Sequence, residues 1–302
     1  MDKEKTKVAI IGLGKMGQNH QKTVVSNPDT QLIATVDPYN TGATHKTIQE
    51  MLDDVTPHCA IISTPTAKHL VSAVPLMEEG IHLLIEKPVV SSLEEIEKIR
   101  KFSKRNNTRI AVGHVERFNP AIQSLKKEIE NDTIIDCYSK RVGPYPKRIG
   151  DVGVTLDLAV HDIDLIRFIT GKNILECAGH KKYIFNKTKE DNITILLGVG
   201  ESMPTISSVI NVSWTHPHRE RRMQILTRES FYTVDMMNLT VEKYQRGDSS
   251  KYSVENLYVM RGDALQNQLK SFLRYIIMDE NNHIATLEDG IESLRVAWEA
   301  KR

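Results

Sequence analysis

With 302 residues the chain can bury a substantial core and divide into two domains of ordinary size, and its 40 Lys plus Arg against 39 Asp plus Glu leave no one-signed field to attract nucleic acid or an anionic membrane. The partner to look for is a small molecule or another protein. Cys59, Cys137 and Cys177 are too few and too scattered for a disulfide or zinc framework, the start MDKEKTK is charged and unlike a signal peptide, and no apolar run is long enough to cross a bilayer, so a cytoplasmic protein with reduced thiols and no metal is expected.

The first element is the apolar run Val8 to Ile11, followed by GLGKMG and then by residues of helical character. This is a G-x-G-x-x-G turn between a strand and a helix. Gly12 permits the tight turn, Gly14 lets backbone approach a pyrophosphate, and Gly17 allows the helix to pack closely, while the helix start at Lys15 and Met16 turns its amides to the phosphates. A second strand, QLIATVD, ends at Asp37, twenty residues beyond Gly17, where an acid accepts hydrogen bonds from an adenosine ribose. No arginine follows that could hold a 2′-phosphate, and Asp37 repels one, so NAD is favoured over NADP. A glycine turn in an unrelated α/β unit is the bland alternative.

Only about two dozen residues separate Asp37 from the next strand near Ala60, enough for the helix-like THKTIQEMLDDV and little more. The third strand of the usual six-stranded nucleotide fold is therefore expected to be missing at the sheet edge. Two further strand-like runs end in polar residues, one at Thr64-Pro65 ahead of His69 and one at Glu86-Lys87. Ligands of open α/β sheets bind at the carboxyl ends of strands, which places Thr64, Pro65, His69, Glu86 and Lys87 beside the cofactor. Lys87 has a plainer reading as a surface lysine paired with Glu86.

The segment GHVERFNP carries Arg117 and Asn119, and Arg141, Lys147 and Arg148 surround the turn GPYP. Arginine forks suit diphosphate oxygens, so Arg117, Asn119, Arg141 and Arg148 are candidates for holding a charged substrate, against the alternative of a solvated loop. In DLAVHDID, Asp157, His161 and Asp164 fall on one side of a helix, because residues three and four apart are neighbours there. That spacing fits a solvated face as well as a proton relay, and a metal reading is poor because nothing nearby supplies further ligands. Imidazole titrates near neutrality, so His161 suits a general base, with Asp157 orienting it or holding a substrate hydroxyl. Asp164 is read as a structural tie to a neighbouring loop.

Strands dominate from residue 133 onward: IIDCYSKR, NITILLGV, PTISSVINVSW, RRMQILT, SFYTVDM and NLTVEKY. Ile206, Ile210, Val212 and Trp214 share one face of the third of these, so one side of the sheet packs inward. Helices follow from about 262 to 278 and from about 287 to 301, the second with Thr286 and Asp289 suited to its start. The pattern predicts an α/β protein: a Rossmann domain over 1–120 with a shortened edge, then a substrate-binding and oligomerisation domain over 121–302. A broad sheet with helices on one side needs cover on the other, which pairing between subunits supplies, as a homodimer or homotetramer.

GLGKMG, STPTAKH, EKP, GHVERFNP and DLAVHDID together resemble the Gfo/Idh/MocA oxidoreductases, the family of glucose-fructose oxidoreductase and inositol dehydrogenase, over essentially the whole chain. The resemblance implies a Rossmann domain followed by an α/β domain with a large, mostly antiparallel open sheet, and hydride transfer between NAD(P) and a carbon of a sugar or cyclitol. It also implies that Lys87, Asp157 and His161 form the catalytic group, with Lys87 polarising the reacting oxygen. The segments around GHVERFNP and GPYP are similar, more narrowly, to the branch containing UDP-N-acetylglucosamine 3-dehydrogenases. Two departures stand out: the short segment after Asp37, and TRES at 227–230, where that branch more often has a glycine turn. The expected function is oxidation of a nucleotide-sugar hydroxyl by NAD. A free-sugar or inositol dehydrogenase, an NAD-retaining glycosidase and a non-catalytic NAD-binding regulator remain open beside it.

Overall fold

The computed structural model describes residues 4–146, 152–247 and 251–302. From the start of the described chain come β1 (Thr6–Ile11), α1 (Lys15–Ser26), β2 (Thr30–Val36), α2 (Ile48–Asp54), β3 (Cys59–Ile62), α3 (His69–Glu78), β4 (His82–Ile85), α4 (Leu93–Arg105) and β5 (Ile110–Val112). Then follow α5 (Pro120–Glu128), β6 (Ile134–Val142), α6 (Val160–Thr170), β7 (Asn173–Lys182), β8 (Asn192–Gly200), β9 (Pro204–Ser213), β10 (Glu220–Thr227), β11 (Ser230–Asp235), β12 (Thr240–Arg246) and β13 (Tyr252–Asn256). The chain closes with α7 (Ala264–Met278), β14 (Ala285–Thr286) and α8 (Leu287–Glu299). No helix among the described residues is long and apolar enough to cross a membrane.

The first sheet has the order β14-β5-β4-β3-β1-β2. Strands β1 to β5 are parallel and nearly continuous apolar runs, as expected for strands buried on both faces. Strand β2 lies at the edge, and no strand follows it before α2. Instead the chain after Asp37 turns back and clings to β2 through the single bridge Val36–His45 and a threonine pair, in which Thr35 and Thr44 exchange bonds of 2.9 and 3.0 Å. The missing third strand is thus replaced by a short loop. Helix α2 starts at Ile48, later than THKTIQEMLDDV suggests, because Thr47 and Glu50 form a capping box there.

The second sheet has eight strands in the order β13-β12-β11-β10-β6-β9-β8-β7 and is antiparallel except where β6 lies beside β9. Its inward face shows the period of two, with Ile206, Ser208, Ile210 and Val212 of β9 buried and Thr205 and Ser207 exposed. Helix α6 covers β6 and β9, and α5 covers β11 and β12. The turn TRES closes the hairpin from β10 to β11 without glycine: Thr227 Oγ1 accepts the Ser230 N–H at 3.0 Å and donates to the Ser230 carbonyl at 2.9 Å.

The compact units are discontinuous, which corrects the single boundary expected near 120. One comprises 1–115 with 265–291, and the other comprises 116–264 with 292–302. The returning segment belongs to the first unit for specific reasons. Strand β14 pairs antiparallel with β5, Arg109 reaches Asp279 at 3.1 Å, and Arg100 reaches Glu288 at 3.0 Å. Gly290 packs so closely on β5 that a Cβ there would stand 2.6 Å from Val112. Helix α8 starts as expected, with Thr286 and Asp289 accepting each other's N–H at 3.3 and 3.0 Å.

Candidate active site

In the first unit the glycine turn is shaped by backbone. Gly12 has φ +91°, in the left-handed region that disfavours side chains, and a Cβ on it would lie 2.8 Å from the Thr64 nitrogen. A Cβ on Gly17 would lie 1.9 Å from the Gly12 carbonyl oxygen, so only glycine lets α1 approach β1 at that point. Above Gly14 there is open space, with nothing within 4 Å of a built Cβ. Helix α1 begins at exposed Lys15 with no side-chain cap, leaving its first amides to another acceptor. Met16, one residue on, is half-buried.

Asp37 stands at the end of β2 beside this turn. Its Oδ2 accepts the Leu13 N–H at 2.8 Å, and its Oδ1 accepts those of Tyr39 and Asn40 at 2.9 Å. Partial burial works against its charge, and these three amides together with Lys46 outweigh it, holding the carboxyl below the usual carboxylate range. A carboxylate offers about four lone-pair sites, so the anchored side chain keeps capacity to accept from a ribose. Thr64 adds a buried hydroxyl with no hydrogen-bond partner among the described residues. Open space over Gly14, an uncapped helix start, an oriented carboxylate and an unmatched hydroxyl fit a dinucleotide.

Other candidates from the same unit face inward. Pro65 is exposed, but His69 is buried with Nδ1 and Nε2 each 2.9 Å from a carbonyl oxygen, those of Pro88 and Thr64. Burial holds its imidazole below the ordinary range, against the pull of the two carbonyls. Glu86 is buried too, with Oε1 2.8 Å from His20 Nε2 of α1 and Oε2 accepting the Lys87 N–H at 3.3 Å. Both residues are thus buried and hydrogen-bonded within the unit. Lys87, next after Glu86 in sequence, is half-buried.

In the second unit Asp157 lies in a π-turn, Thr155–Ala159, that runs directly into α6, where His161 follows. Such wide turns recur at functional positions in helices. Asp157 and His161 are half-buried, while Asp162 and Asp164 on the same helix are fully buried. Asp164 is the structural tie expected of it: Arg117 grips it bidentately, Nε to Oδ2 at 2.8 Å and Nη2 to Oδ1 at 2.6 Å. Asp162 holds Arg141 in the same way, Nε to Oδ2 at 2.7 Å, and takes the Ser139 hydroxyl at 2.6 Å. Arg141 Nη1 also reaches Glu116 Oε1 at 2.8 Å, and Arg221 shares that oxygen at 2.9 Å.

This arrangement corrects the reading of the arginines. Arg117 and Arg141 are only 5% and 2% exposed and are committed to internal carboxylates, not presented to a diphosphate. Asn119 is half-buried, capping α5 through Ala121 and donating to the Met236 carbonyl at 3.0 Å. Arg148 and Lys147 lie outside the described residues. Sequence reasoning missed His20 and Glu116. The signal for His20 was present, a histidine three residues past the last glycine of the turn, on the face of α1 that Gly17 buries.

A glycine turn between β1 and α1 on a parallel sheet, with Asp37 at the end of β2, defines a dinucleotide-binding unit of the Rossmann class. Residues 6–114 match the model of the oxidoreductase family with an NAD-binding Rossmann fold, and residues 136–232 match the GFO/IDH/MocA C-terminal domain. The chain belongs to the GFO/IDH/MocA oxidoreductase family. It is 26% identical to UDP-N-acetylglucosamine 3-dehydrogenase of Acidithiobacillus ferrooxidans, over 96% of this chain and 93% of that one. A solved structure of that enzyme superposes with a TM-score of 0.88 over 99% of this chain and 97% of the other, at 23% identity. The chain is also 21% identical to myo-inositol 2-dehydrogenase of Thermotoga maritima, over 98% of this chain and 95% of that protein.

Proposed function

We propose that this protein is an NAD-dependent dehydrogenase that oxidises a secondary hydroxyl of a nucleotide-activated sugar, with UDP-N-acetylglucosamine, oxidised at C3, as the representative substrate. The observation that carries this reading is likeness to a UDP-N-acetylglucosamine 3-dehydrogenase along nearly the whole chain, and the presence of Lys87 in EKP and of Asp157 and His161 in DLAVHDID supports it. NAD, when bound, supplies the hydride acceptor. His161 takes the hydroxyl proton, Asp157 orients the imidazole or the hydroxyl, and Lys87 polarises the reacting oxygen as it becomes a carbonyl. Asp37 favours NAD over NADP by accepting ribose hydroxyls that a 2′-phosphate would replace. The outer face of the second sheet exposes Tyr138, Leu196 and Val254, and the rings of Phe231, Tyr244 and Tyr252 follow one another about its end. This face supports a homodimer or homotetramer, to be read from sedimentation.

The deciding experiment incubates the protein with NAD and a panel of UDP-sugars, free sugars and inositols while following nicotinamide absorbance. Turnover confined to free polyols would sink the nucleotide-sugar reading in favour of the inositol dehydrogenase that the Thermotoga maritima relative suggests. Glycoside cleavage without net NADH would replace it by an NAD-retaining hydrolase. Lys87→Ala and His161→Ala should each lower turnover by roughly two powers of ten with NAD binding retained.

A further inference from the structure

His20 leaves the dinucleotide turn on α1, three residues past Gly17, and is only 2% exposed. Its Nε2 lies 2.8 Å from Glu86 Oε1, and the other oxygen of that carboxylate accepts the backbone N–H of Lys87 at 3.3 Å. Gly113 makes the room, since a Cβ there would stand 2.9 Å from Glu86 Oε2. On the far side of Lys87, the Pro88 carbonyl oxygen is 2.9 Å from His69 Nδ1. A continuous set of short contacts therefore runs from the glycine turn through α1, His20 and Glu86 to the backbone of Lys87. A buried polar pair is an expensive way to fill space, because an apolar pair of the same volume stabilises as well or better. What it adds is direction, since a hydrogen bond fixes an angle as well as a distance.

We propose that His20 and Glu86 are positioning residues which hold Lys87 in register with the dinucleotide turn. The inference rests on the reading that Lys87 takes part in catalysis. Burial opposes the charge of Glu86, and the hydrogen bond with His20, with Lys87 beyond, outweighs it and holds the carboxyl below the ordinary range, so Glu86 is an acceptor at neutral pH.

The test replaces the pair without orphaning a buried charge, as His20→Leu/Glu86→Met, and compares it with Lys87→Ala and with all three changes together. Urea melts and NAD titration establish that each variant folds and binds. With NAD and UDP-N-acetylglucosamine, the apolar pair should lower kcat about tenfold, with KM within about twofold, and should cost nothing further once Lys87 is alanine. His20→Gln, which keeps a donor at similar reach, should recover most of the loss. Losses that multiply in the triple variant, or full turnover with the apolar pair, would overturn the proposal. A second readout needs no substrate: acetylation of the Lys87 amine by N-hydroxysuccinimidyl acetate, followed by peptide mass spectrometry. It should quicken about threefold with the apolar pair as the backbone loosens, while Lys126, half-buried in the other unit, should not change. An unchanged Lys87 rate sinks the positioning role whatever the substrate proves to be. Full turnover in Lys87→Ala sinks the catalytic reading, and the proposal with it, by a separate measurement.

Discussion

The glycine turn of the first unit and the arginine network of the second both present polar groups, yet they differ in what holds them. The turn is held by backbone: a left-handed Gly12, a Gly17 with no room for a methyl, and amides that orient Asp37. The network is held by side chains that meet from distant places, Arg117 with Asp164, Arg141 with Asp162, and Arg221 with Glu116. Backbone geometry dictates residue type at fixed spacing, whereas a side-chain partner can come from any element the fold brings near. Surface arginines and buried, paired arginines therefore look alike in a sequence.

The sharpest way to break that contrast is Asp162→Ala, which strips a buried guanidinium of its main carboxylate. It should cost about 3–5 kcal/mol in urea denaturation while leaving inhibition by UDP unchanged, and a loss of UDP binding at full stability would return Arg141 to the substrate. Gly17→Ala probes the other region. The added methyl must displace the Gly12 carbonyl, so about 1–3 kcal/mol of stability and most of the NAD affinity should disappear together, as read by melts and titration. Asp37→Ser should narrow the preference for NAD over NADP by about tenfold, or 1.4 kcal/mol, in fluorescence titration with both cofactors. Equal affinity of the parent protein for the two would remove that role from Asp37.

Two smaller effects sharpen the comparison within the network itself. Burial works against the charge of Glu116, but Arg141 and then Arg221 outweigh it and hold its carboxyl below the ordinary 4.5. A depressed folded value means stability that is fully present above pH 4.5 and lost as the pH falls through the folded value. Glu116→Gln should therefore flatten part of the acid limb in a stability series from neutral pH downward. Asn119→Ala removes the cap of α5 and should cost about 1 kcal/mol, with no change in substrate affinity.

The fold was legible wherever apolar pattern and glycine spacing carried it: the parallel strands, the absent third strand beyond β2, and the broad sheet with its inward face. Strands β7 and β13 escaped because they are sheet edges with mostly exposed residues and no clear alternation. Strand β14 is two residues long, too short for any period, and its return to the first unit is a long-range pairing that no local window contains. Of the candidate residues, Gly12, Asp37 and Thr64 follow the carboxyl ends of β1, β2 and β3 in one parallel sheet. His69, Glu86, Arg117 and Arg141 are polar at positions that the fold buries, and half-buried Asn119 reaches the distant Met236 carbonyl, so their partners are ones that only the tertiary structure supplies.

The pairing of β14 with β5 also bears on how the molecule is made. Residues 1–115 leave the ribosome with the edge of β5 bare, and the strand that covers it ends at residue 286, 171 residues later. At about 5–20 residues per second that interval is roughly 9 to 34 seconds. During it the nascent sheet presents an unpaired, wholly apolar edge, Ile110 to Val112, to every other chain nearby. Ribosome-bound chains halted before residue 285 should therefore be the form that chaperones hold and that aggregates capture, and release of the last segment should end that exposure.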